Sequence, residues 1–214
     1  MSRRRAAGRQ NERECIMKSI SRTVAFALAL LPAVAFGQTS TWSFDPAHSH
    51  ASFSVRHLVI SNVRGELGKL AGTVTLDEKD VTKSKVEATI DATAIDTREP
   101  KRDEHLKSPD FFDVAKFPTI TFKSTKVEKS GKDGLKVTGE LTMRGVTKPV
   151  TLKVAGPTAA ITDPMGNPRR GASATTKLDR RDYGVAWSKV LEGGGAVVGD
   201  EVAIELEVEM VKQP

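Results

Sequence analysis

Val202-Ala203-Ile204-Glu205-Leu206-Glu207-Val208-Glu209-Met210-Val211 carries an apolar side chain at every even position and a glutamate at three of the odd ones. A β-strand turns successive side chains to opposite faces, whereas a helix repeats every 3.6 residues. The stretch therefore predicts a strand with one face buried and one face in water.

The same alternation recurs upstream. It is seen in Phe53-Ser54-Val55, Val74-Thr75-Leu76, Val86-Glu87-Ala88-Thr89-Ile90 and Thr119-Ile120-Thr121-Phe122-Lys123. Leu141-Thr142-Met143 and Val150-Thr151-Leu152-Lys153-Val154 continue it, rich in the Val and Thr that strands favour. Turn residues separate these runs at Asp77–Asp80, Ser130–Gly134, Arg144-Gly145 and Asp163–Pro168. The pattern predicts strands at about 41–45, 48–58, 65–77, 83–92, 118–129, 135–143, 147–162, 172–183 and 199–211, joined mostly as an antiparallel meander. One stretch breaks the alternation. Thr97 as cap, Pro100 in the first turn and Asp103 and Glu104 near its start predict a helix over about 98–112, interrupted at Ser108-Pro109. Strands with one consistently apolar face bury it in a sandwich or a barrel. Eight closed strands leave room inside for one small ligand.

Residues 1–37 read as an N-terminal extension and a cleavable signal peptide, which leaves residues 38–214 as one β domain. Val24–Gly37 is an uninterrupted apolar or small run behind Lys18 and Arg22, and Met17 opens a conventional n-region. Small-x-small patterns put cleavage after Ala35 or, preferably, after Gly37. The run is shorter than the roughly 20 residues of a comfortable membrane span. The same segment holds seven of the 33 Lys/Arg and two of the 27 Asp/Glu, so the formal charge of +6 shrinks to about neutral from Gln38 onward. The body thus lacks the basic stripe of a nucleic-acid-binding protein. The single cysteine, Cys15, also lies in this segment, so the body has neither a disulfide nor a thiolate metal site.

Several ordered motifs resemble the YceI-like family, which includes periplasmic polyisoprenoid-binding proteins. They are Trp42–His50 running into Phe53–Leu58, Val63-Arg64-Gly65, Leu70-Ala71-Gly72, Arg102–Asp113, Phe117–Phe122, Gly139–Val150 and Leu178–Gly184. Glu66-Leu67 departs from it, since an aromatic is often found there. The resemblance covers 42–211. It implies an all-β, extended antiparallel eight-stranded lipocalin-like β-barrel with a short helical insert, and a periplasmic location. It also implies a long-chain amphiphile, such as a polyisoprenoid or isoprenoid quinone, carried or sequestered in an apolar cavity.

On that reading the ligand-binding candidates are Phe53, Val55, His57, Leu76, Ile90, Leu106, Phe111, Phe112, Ile120, Phe122, Leu141, Leu152 and Trp187. The partner is an isoprenoid or fatty-acid-like lipid; a homodimer is also compatible. Burying a lipid tail contributes roughly 0.8 kcal/mol per methylene, enough to drive binding with few polar contacts. His57 is the candidate for a polar head group. An interior packed solid, without a ligand, is the alternative for these same residues.

Catalytic signals are weak. Gly171-Ala172-Ser173-Ala174-Thr175 lacks the last glycine of a nucleophile elbow, and Gly193-Gly194-Gly195 precedes a strand rather than a helix. No cofactor motif is legible, and the expectation is a binding protein rather than an enzyme. His48 and His50 share strand parity, so a periplasmic enzyme or metal-binding protein acting on a small apolar substrate is the second reading; it requires a third convergent ligand. Asp179-Arg180-Arg181-Asp182 reads as a solvated turn or ion-pair cluster, with an arginine available to steer an anionic head group.

Overall fold

The alternating runs form strands β1 (Thr39–Phe44), β2 (His50–His57), β3 (Ser61–Glu66), β4 (Lys69–Asp77), β5 (Lys85–Asp91), β6 (Thr119–Ser130), β7 (Gly134–Met143), β8 (Val146–Ala155), β9 (Ile161–Thr162), β10 (Pro168–Asp179) and β11 (Val198–Lys212). One helix, α1 (Pro100–Lys107), lies between β5 and β6. This computed structural model describes residues 39–132, 134–192 and 194–214; the extension and signal read at 1–37 lie outside them.

All strand pairs are antiparallel. The order β11-β1-β4-β5-β6-β7-β8-β10 returns to β11, because β10 and β11 pair from Arg169↔Val211 to Asp179↔Glu201. The result is an all-β ring of eight strands that resembles a barrel. β1 and β2 share one edge of β11: Trp42 to Phe44 face Lys212 to Met210, and His50 to His57 face Glu207 to Val198. They act as two halves of a long strand parted by the loop at 45–49. β3 returns along β2, so the β2–β3 hairpin extends beyond the ring as a wing on the same end as α1.

The inward face follows strand parity. Val202, Ile204, Leu206, Val208 and Met210 of β11 point inside, as do Leu70, Val74 and Leu76 of β4 and Val150, Leu152 and Val154 of β8. Two inward positions are glycines for steric reasons. A Cβ on Gly72 would come within 2.7 Å of the Phe44 ring, and one on Gly139 within 2.5 Å of the Phe122 ring. Each glycine is the niche in which a phenylalanine from a neighbouring strand lies. At the end away from α1, Trp42 packs with Leu76 and Met210, donates its indole N–H to Ser40 (2.7 Å) and lies under the Arg170 guanidinium.

Several sequence expectations shift. The strand expected at 65–77 is two strands, broken at Leu67-Gly68, where the Leu67 N–H turns to the Ala51 carbonyl (2.7 Å). Residues 61–64, given no strand, complete the β2–β3 hairpin. The strand expected at 147–162 is interrupted by Gly156-Pro157, since proline has no N–H for a ladder. The strand at 172–183 starts earlier and ends at Asp179, where the aspartate caps a 3-10 turn over Arg180–Tyr183. The helix is shorter than 98–112. Glu99 caps it rather than Thr97, and Ser108 closes it. Thr97 is buried and held by Asp103 (N–H 2.8 Å, hydroxyl 2.5 Å) and by Arg102.

Arg169 fastens the loops around the mid-wall break. It donates to Asp45 (2.6 Å), Glu209 (2.5 Å) and Asp163 (2.7 Å). The guanidinium hydrogen bonds hold the Asp45 and Asp163 carboxyls well below the ordinary aspartate value of 3.8; His48 helps at Asp45 and backbone N–H groups help at both. A depressed carboxylate adds stability above its unfolded value and loses it as pH falls through its folded value. Arg169→Met is therefore expected to lower the melting temperature at pH 7, with the gap to wild type narrowing towards pH 3. Thermal melts across that range check this; a gap constant with pH contradicts it.

Candidate functional site

The inward side chains do not fill the ring. They surround a cavity of about 590 Å³, lined almost wholly by carbon, with α1 residues among the lining at one end. All thirteen candidate residues line it: Phe53, Val55 and His57 of β2, Leu76 of β4, Ile90 of β5, Leu106 of α1, Phe111 and Phe112 after it, Ile120 and Phe122 of β6, Leu141 of β7, Leu152 of β8, and Trp187. The solid-packed alternative does not describe this interior.

The lining extends further than those thirteen. Leu70, Val86, Val137, Val150, Val202 and Leu206 belong to it and share the parity of their strands, so the same alternation was able to find them. On β6 the parity fails: a register shift between Ser124 and Lys126 turns Val127 inward after Ile120 and Phe122.

Every charged member of the lining lies at the α1 end: Arg56, Glu99, Lys101, Arg102 and Arg180, together with His57 and His105. An aromatic group stands among them. The His105 ring meets Phe111 at 5.0 Å and Trp187 at 4.9 Å, both edge-on, and Phe111 lies 5.3 Å from Trp187. His105 Nε2 is 2.9 Å from Asp110 Oδ2. The arrangement gives an apolar interior with one mixed, titratable rim.

Arg180 builds part of that rim; of the two readings of its run, the ion-pair cluster holds and the solvated turn does not describe Arg180. It is 5% exposed. Its guanidinium donates to the carbonyls of Val185 (2.6 Å), Trp187 (2.8 Å), Gly199 (2.8 Å) and Val198 (3.2 Å), and to Asp200 (3.0 Å). One side chain thus holds both ends of the segment that carries Trp187. Arg181 is exposed and pairs with Asp200, and Asp182 pairs with Lys148.

The histidines do not converge as the metal reading requires. His48 precedes β2 in the 45–49 loop, so strand parity does not relate it to His50, which opens β2 and is exposed. Among the described residues one group gathers three ligand-type atoms, Asp45, His48 and Glu209. Arg169 already donates to both of its carboxylates, so the guanidinium holds the position a cation would take. This group lies in the wall by β11 and is not part of the cavity lining.

The YceI-like domain family matches residues 42–210. The chain belongs to the YceI-like family. A UPF0312 protein of Vibrio parahaemolyticus is 38% identical over 184 residues, 85% of this chain and 95% of that relative. The crystal structure of a Campylobacter jejuni YceI protein aligns with TM-score 0.61 at 28% identity, covering 74% of this chain and 90% of that one. A polyisoprenoid-binding domain of Saccharophagus degradans shares the fold, with TM-score 0.56 at 15% identity over 80% of this chain and 98% of that domain.

Arg180→Met leaves four carbonyls without their donor and Asp200 with Arg181 alone. Leaving buried acceptors unpaired costs about 1–3 kcal/mol. Chemical denaturation is expected to show that loss, and limited proteolysis to cut the variant between residues 185 and 198 faster than wild type. Unchanged cleavage in that segment contradicts the role of Arg180 in holding the rim.

Proposed function

We propose that this YceI-like protein binds one long-chain amphiphile, such as a polyisoprenoid or an isoprenoid quinone, and carries or sequesters it. The observation that carries this reading is the cavity: about 590 Å³, within the roughly 300–1,000 Å³ usual for small-molecule sites. Away from the charged α1 end, its wall offers carbon from every strand of the ring and almost nothing to orient a sugar, a nucleotide or a reacting group. Burial of the tail drives binding, at roughly 0.8 kcal/mol per methylene. The head group stays at the α1 end, beside His57, Lys101 and His105. The polyisoprenoid-binding domain from Saccharophagus degradans, with the same fold, supports an isoprenoid cargo. The role is binding, without catalysis. The apolar run at 24–37 behind Lys18 and Arg22 supports export to the periplasm, and no described helix is long and apolar enough to cross a membrane.

Solvent extraction and native mass spectrometry of the protein purified from its host are expected to show a bound lipid. Phe122→Asp puts a carboxylate against the apolar wall beside Gly139 and is expected to abolish lipid retention. Circular dichroism is expected to report a folded, less stable barrel. A wild-type protein that never yields lipid overturns the proposal.

A further inference from the structure

The β2–β3 hairpin turns on His57-Leu58-Val59-Ile60, with the Ile60 N–H bonded to the His57 carbonyl (3.1 Å). Leu58 and Val59 both have positive φ, 51° and 63°. Two successive left-handed residues make the tight hairpin turn that Asn-Gly forms without strain. A β-branched residue there is a steric outlier. This chain keeps Leu-Val in that turn, and the side chains displayed are apolar and in water: Val59 is 57% exposed and Ile60 is 76% exposed. Neither the fold nor the cavity uses them.

A second apolar tip stands beside the first. Residues 189–192 and 194–197 pair as its arms, with Val190 bridged to Ala196 and the Val197 N–H bonded to the Lys189 carbonyl (2.9 Å). Val190 is 84% exposed. The two tips are joined. The Leu58 N–H donates to the Val197 carbonyl (2.9 Å), and a Val59 methyl lies 3.3 Å from where a Cβ on Gly195 would be. The bases of both tips line the cavity, through Arg56, His57 and Val63 on one side and Trp187, Val197 and Val198 on the other.

We propose that these paired tips dock the α1 end of the cavity, which their bases line, onto the surface of an anionic lipid bilayer. This rests on the lipid-carrying reading and adds the place where cargo enters. Charge selects the partner. Residues 56–64 hold Arg56 and Arg64 and no acid; both are exposed, and the Arg56 guanidinium, held over the turn by the Val59 carbonyl and Asn62, keeps its charge there. Lys189 adds a third cation beside Val190, with Glu192 the one acid of its loop. Cations flanking a shallow apolar tip are the pattern that adsorbs to anionic headgroups and enters the acyl boundary. Exposed apolar clusters of this kind mark interaction sites. With the tips inserted, a tail passes from bilayer to cavity along apolar surface.

The test is co-sedimentation of the full chain with phosphatidylcholine vesicles, with and without phosphatidylglycerol. Wild type is expected to partition onto the anionic vesicles at least ten-fold more than onto the neutral ones. Replacing Leu58-Val59-Ile60 by Asn-Gly-Thr removes the strain and the apolar side chains together. That variant is expected to melt no lower than wild type and to lose vesicle binding at least ten-fold; Val190→Asp is expected to lose it as well. Ile161→Asp changes an exposed apolar residue at the opposite end and is expected to bind like wild type. Wild type that ignores anionic vesicles, tip variants that bind normally, or equal loss in Ile161→Asp overturns the proposal. Self-association that the tip variants abolish, without vesicle binding, assigns the tips to a second copy and also overturns it. Protein that carries lipid yet ignores vesicles defeats the docking surface alone; protein that docks but yields no lipid defeats the carrier reading alone.

Discussion

Eleven residues of β10 pair one-for-one with eleven of β11, and that pairing closes the ring. An apolar face of alternating side chains cannot face water, and an open sheet would leave it without a partner layer. Closure solves this without a second sheet, because the sheet covers its own face. It also covers the edges of the ring strands, leaving outer edges on the wing strand β3 and the two-residue β9. The cavity is the geometric remainder: eight strands set a bore that aliphatic side chains line but do not fill.

Polar groups are then disposed by end. Where β1 meets β2, the wall breaks, and Arg169 bridges the break with three carboxylates. At the α1 end, Arg180 does the corresponding work with backbone carbonyls, so the segment bearing Trp187 is tied to the start of β11. Both arginines are consumed by architecture. Beside the two apolar tips the exposed cations are Arg64, Lys189 and Arg56, the last also donating to the Val59 carbonyl and Asn62.

Period-two alternation made most strands and nine of the thirteen cavity residues legible, because parity decides which side chains of a strand face inward; Leu106, Phe111, Phe112 and Trp187 lie off the strands, and the barrel came from the family resemblance. Parity failed where the chain departs from simple alternation. The β6 bulge reverses parity between Phe122 and Val127. The wing was missed because Asn62-Val63-Arg64 shows too little alternation, and because its turn lacks the Asn-Gly signature. Arg180 looked like part of a charged surface turn; its burial depends on carbonyls brought in from residues 185–199, which no local pattern reveals. His48 and His50 looked paired only while one unbroken strand was assumed through both.

The first described strand and the last share the same ladder: β1, at residues 39–44, hydrogen-bonds to β11, at 198–212. Contacts so distant along the chain demand that most of the loop entropy be given up before they form, which makes folding slow relative to a helical protein of this size. Until the final fifteen-residue strand is in hand, every inward face stays wet. A chain that lacks β11 is thus a row of half-faced ribbons with apolar faces and open edges, the kind of species that aggregates.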